Sequence, residues 1–129
     1  MLLNVDGVEQ SRHKFFSSFD DKSQKYIKPL VLNWLEAAIW AYSNNRDDFQ
    51  IRDIVGYGNT DWKYTPLQEI YNYHRRRNLT DEQAMNLAGQ DVGRIAKRVM
   101  YESNHNYQVL SITRGYRDSK VYKRLKDTE

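Results

Sequence analysis

Cysteine is absent from this chain of 129 residues. Disulfides, thiolate catalysis and Cys-ligated zinc are thereby excluded. The absence agrees with a reducing compartment, and a cytoplasmic location is the expectation. No run of about 18 uncharged apolar residues occurs, so no segment reads as a bilayer-spanning helix. Residues 1–13 carry two early acids, Asp6 and Glu9, and only a very short apolar run. That pattern is not expected of a signal peptide. The three histidines, His13, His74 and His105, have no partner at H-x-x-x-H spacing, so no metal site is expected. His74 falls on an apolar helix face and reads as a satisfied core or boundary residue. The acid pairs Asp20-Asp21 and Asp47-Asp48 read as turn and helix-end residues, without the gathered carboxylates a metal nuclease needs. Gly56-Tyr57-Gly58-Asn59-Thr60 is not followed by Lys-Ser/Thr and is not a P-loop. Together these absences predict a non-catalytic protein with neither metal nor cofactor.

What the chain has in quantity is aromatic residues and unevenly placed charge. Ten Tyr and three Trp can fill a core while keeping polar tips wet. The net charge is only +3, but residues 90–125 carry eight Lys/Arg against three Asp/Glu. The remainder of the chain is close to balanced. Positive charge concentrated in one segment is the footprint of a phosphate-binding surface.

The spacing predicts a helix over about Lys28 to Ser43, opened by Pro29, with Leu30, Trp34, Leu35, Ala38, Ile39 and Tyr42 recurring near 3.6 residues. Trp34 and Trp40 lie on different faces, so one is expected in the core and the other on a second element or a partner. Phe49-Gln50-Ile51 reads as a short strand leading into a helical turn over Arg52 to Val55. Thr65-Pro66-Leu67-Gln68 reads as a capping box that opens a helix ending at Arg75-Arg76-Arg77. Thr80-Asp81-Glu82-Gln83 is a second capping box. Gly89, followed by Asp91 as a possible cap, favours a break into two helices. A continuous helix from Asp81 to Ser103 is the alternative. Tyr107 to Leu125 alternates like two strands around a polar turn at Arg114 to Asp118. Residues 1–22, with Phe15, Phe16 and Phe19, read as an N-terminal arm.

The helix G-R-I-A-K-R-V-M-Y-E-S, followed by a basic hairpin ending K-V-Y-K-R-L, resembles the recognition helix and wing of winged helix-turn-helix domains. It is similar to the small winged-helix module of phage and plasmid replication proteins. The resemblance covers about residues 81–125. It implies an α+β, mainly helical fold: a winged-helix domain over 23–129, with the helix-turn-helix at about 80–103 and the wing at about 107–125. The long first helix and an inserted helix are additions to that plan. The implied function is double-stranded DNA binding for a mobile element, in replication, transfer or transcription regulation. Arg94, Lys97, Arg98 and Tyr101 would then face the groove. Arg114, Arg117, Lys120, Lys123 and Arg124 would line the wing, and Arg75, Arg76 and Arg77 would touch flanking phosphates. The other expectation is a protein-interaction module that binds a host protein, or a homodimer formed through the Trp34/Trp40 helix.

Overall fold

The computed structural model describes residues 1–8, 28–44, 46–56, 62–113 and 119–126. Among them the chain is α+β, with four helices and one three-stranded sheet. In chain order these are β1 (Leu2–Leu3), α1 (Lys28–Ser43), α2 (Ile51–Val55), α3 (Gln68–Arg75), α4 (Asp81–Glu102), β2 (Tyr107–Thr113) and β3 (Ser119–Arg124). The aromatic positions 15, 16 and 19, the loop 57–61 and the wing tip 114–118 lie outside the described residues.

The sheet runs β1-β2-β3, with β1 parallel to β2 and β2 antiparallel to β3. The expected hairpin is therefore present, with Val109 opposite Tyr122 and Ile112 opposite Lys120. Between Val109 and Ser111 the register shifts, which leaves Leu110 as the extra residue of a bulge. The short piece at Phe49 does reach the hairpin, through one antiparallel bridge to Tyr122. Its Phe49 N–H and C=O both bond to Tyr122, at 2.9 and 2.8 Å. The third full strand, however, comes from the chain's start. Leu2 is fully buried, and the Met1 amine donates to the carbonyls of Met100, Ser103 and His105 at 3.0 to 3.3 Å. The Met100 and Ser103 carbonyls lie at the C-terminal end of α4, where helix acceptors lack partners and positive charge is favoured. The first residues of the expected arm thus belong to the sheet.

α4 corrects the expected break. It runs unbroken for 22 residues through Gly89 and Gly93. Its buried stripe of Ala84, Ala88, Asp91, Val92, Ile95, Ala96, Val99 and Met100 packs on α1 and α3, and this burial outweighs the roughly 1 kcal/mol helix penalty of each glycine. Asp91 consequently caps nothing; it sits mid-helix and buried. The capping box at Thr80 forms as expected. Gln83 N donates to Thr80 Oγ1 at 3.2 Å, and Thr80 N donates to Gln83 Oε1 at 3.0 Å.

The box at Thr65 does not form a helix cap. Thr65 Oγ1 instead accepts from Leu67 N at 3.2 Å, and successive i to i+3 bonds tighten the turn so that α3 proper opens at Gln68. The chain reverses between α3 and α4 over Arg76 to Thr80, where Asn78 takes φ 59; Asn tolerates that left-handed conformation better than most residues. Gly56 closes α2 with φ 72 and donates its N–H to Arg52 O at 2.8 Å. One core joins all of this, from Leu2 through Val31, Leu35 and Ile39 of α1, Phe49, Leu67 and Ile70, to Tyr107, Val109 and Tyr122 of the hairpin.

Candidate nucleic-acid interface

The basic face of α4 is divided by its neighbours. Arg94 is exposed, whereas Lys97, Arg98 and Tyr101 are each half-buried. Tyr101 packs against the core. Arg98 donates to Glu102 Oε1 at 3.4 Å and lies near Lys28 at the start of α1. Burial first, and the Arg98 charge second, lower the Lys28 pKa. Of the four residues expected to face a groove, Arg98 and Tyr101 therefore point toward α1 and the core.

Lys97 turns the other way and meets Lys120 of β3. Burial first, and the adjoining Lys120 ammonium second, lower the Lys97 pKa to about 8. Two like charges thus converge where the helix meets the hairpin. An anion placed there would relieve both the desolvation and the repulsion. Lys123 is exposed on the opposite face of β3. Arg114 and Arg117 lie outside the described residues.

The arginine triple that closes α3 has mostly local roles. Arg75 Nε pairs with Asp81 Oδ1 at 3.0 Å, and its Nη1 also bonds Leu79 O. Arg77 Nη1 meets His74 Nδ1 at 3.1 Å and lies over the Tyr73 ring. Arg76 is exposed. These contacts stitch the turn between α3 and α4. Asp81 also accepts from the Tyr71 hydroxyl at 2.7 Å, a bond that raises the Tyr71 pKa.

His74 is a core residue, as its position on an apolar face predicts. It is 1% exposed and its Nε2 lies 2.5 Å from Asp91 Oδ2, itself on a residue 3% exposed. Arg77 can only donate, so Nδ1 accepts and Nε2 carries the proton toward Asp91. Among the described residues no group of three or more His, Asp or Glu side chains is placed to hold a metal.

The continuous helix exposes a ridge that an interrupted one hides. Gln83, Asn86, Gln90 and Arg94 are all exposed on α4, at spacings of three, four and four that place them on one face. Amide side chains and arginine are the types that bond base edges in pairs. Of this ridge, the sequence singles out Arg94 as a groove contact and Gln90 as a contact at the edge of the recognition helix, but neither Gln83 nor Asn86. Its regular spacing is the sequence signal, and the assumed break at Gly89 obscures it.

At the open end of the hairpin, Arg124 leaves the wing altogether. Its guanidinium lies 3.8 Å over the Trp40 ring and donates to Trp40 O at 3.2 Å and to Asn44 Oδ1 at 2.9 Å. His105 stacks on the same indole at 3.7 Å. Two planar groups this close to one ring system must occupy opposite faces. Trp34 is half-buried against the core, so the two tryptophans do lie on different faces of α1. No helix among the described residues is long and apolar enough to cross a membrane. No protein family, curated protein or solved structure matches the chain.

Proposed function

We propose that the protein binds double-stranded DNA without catalysis, as a variant of the winged helix-turn-helix. α3, the turn at Arg76–Thr80 and α4 form the helix-turn-helix pair, and β2–β3 form the wing. The order of α1, the Phe49 bridge, α3, α4 and hairpin supports this reading. The observation that carries it is the meeting of Lys97 and Lys120 at the helix-hairpin junction. A duplex lying along the α4 ridge would bring a backbone phosphate to that pair, while Asn86, Gln90 and Arg94 face base edges. The partner-docking reading of α1 has less support, because Arg124 and His105 stack on Trp40 and leave it 38% exposed.

The test is fluorescence anisotropy with a mixed-sequence duplex at low and physiological salt. Binding is expected to weaken steeply with salt as counterions are released. Lys97→Gln and Lys120→Gln should each lower affinity and flatten the salt dependence. Salt-independent binding, or binding indifferent to both substitutions, defeats the reading.

A further inference from the structure

A second basic surface lies away from the α4 ridge, where the end of α1 meets the end of β3. It is an open groove of about 480 Å³ whose lining includes Trp40, Arg46, Asp47, Arg124 and Lys126. Three cations face a single carboxylate there, and Asp47 forms no ion pair with any of them among the described residues. Among the described residues the groove therefore holds a surplus of positive charge.

Its arginines are held in place before any ligand arrives. Arg124 has five N–H donors. Its stacking on Trp40 and its bonds to Trp40 O and Asn44 Oδ1 fix the guanidinium plane and, among the described residues, leave other donors unused. Arg46 is braced 4.1 Å above the Tyr42 ring, so its charge also has a defined position. Fixed guanidinium forks match the geometry of phosphate oxygens. The groove, about 480 Å³, has room for a phosphate group.

We infer that this groove binds a phosphate group, held by Arg124 and Arg46 with Lys126 at the rim. The phosphate has two conceivable sources, a small phosphorylated compound or a nucleic-acid backbone. The recognition chemistry is the same, and the inference does not depend on the α4 ridge reading bases.

The probe is inorganic pyrophosphate, titrated into the full chain while the Trp40 indole N–H is followed by NMR. Saturable binding at millimolar concentration or tighter is expected. The double variant Arg46→Ala/Lys126→Ala should weaken it by about tenfold or more, a change of roughly 1.4 kcal/mol. Both residues are exposed, so thermal unfolding of the double variant should match the parent, separating lost binding from lost fold. Arg124 is left unchanged because it ties β3 to α1. A non-saturating shift, or equal affinity in parent and variant, overturns the inference. Where pyrophosphate binds as expected, duplex affinity identifies the source. A parallel loss in the double variant means a backbone phosphate; an unchanged duplex affinity, or no duplex binding, means a small phosphorylated compound. Absence of duplex binding with intact pyrophosphate binding would sink the DNA proposal alone.

Discussion

The His74–Asp91 contact links two helices through their apolar faces, and each residue is the other's means of being buried. A carboxylate this deep is tolerated only with a hydrogen-bond donor against it. Arg77 fixes the donor by bonding Nδ1, so the chain of contacts runs from the surface through His74 to Asp91. Asp91→Ala leaves the Nε2 proton buried without an acceptor, and is expected to cost about 3 kcal/mol of stability. Replacing both residues by Leu removes both polar groups and should cost less than the two single changes added together. Urea unfolding of the three variants measures this. A loss under about 0.5 kcal/mol for Asp91→Ala, the level of an ordinary surface change, would show that the pair is not buried in solution.

At the level of elements, the continuity of α4 has a direct test. A Cβ built on Gly89 or Gly93 meets no atom within 4 Å. Alanine at either position should therefore raise stability by about 0.5–1 kcal/mol, because it gains helix propensity at no steric cost. Thermal melts of Gly89→Ala and Gly93→Ala would read this gain, and a fall in melting temperature would place a turn at that glycine after all. The same helix shows what sequence can and cannot carry. α1 is legible from its 3.6 spacing, the start of α4 from its capping box and the hairpin from its alternation. All three signals are local. The path through Gly89 is not legible, since it depends on how much of the Ala84 to Met100 stripe α1 and α3 cover. Asp91 was partly legible, as it shares a face with Ala84, Ala88 and Ile95, although its type suggests a cap. Leu2–Leu3 is too short to show any period, and its place in the sheet is set by a partner over a hundred residues away. Within the candidate site, Lys97 and Lys120 were legible as basic residues, but their meeting was not. Arg98 and Tyr101 share their helix face, yet α1 and the core cover them.

For the whole molecule, the uneven distribution of charge has a consequence that pH exposes. The surplus in residues 90–125 brings Lys97 against Lys120, and burial together with that neighbour lowers the Lys97 pKa from 10.5 to about 8. Below pH 8 the group is protonated whether folded or unfolded, and the folded protein carries the unfavourable contact in full. Between about 8 and 10.5 the unfolded chain keeps a proton that the folded one has released, so this group makes stability rise with pH across that window. Tyr71, Tyr107 and Tyr122 act oppositely above pH 10, because folding raises their pKa values from 10.0. The difference between the parent and Lys97→Met isolates the lysine: the parent should gain on the variant as pH rises from 8 toward 10. A phosphate at the junction reverses the preference by favouring the charged lysine, so duplex binding should take up a proton above pH 8. Affinity for DNA should then fall as pH rises from 7 to 9 in the parent but stay nearly level in Lys97→Met. Chemical unfolding and anisotropy across that range measure the two effects separately. If stability shows the rise but DNA affinity shows no fall, Lys97 is a crowded lysine that no phosphate meets, and the duplex lies elsewhere on the protein.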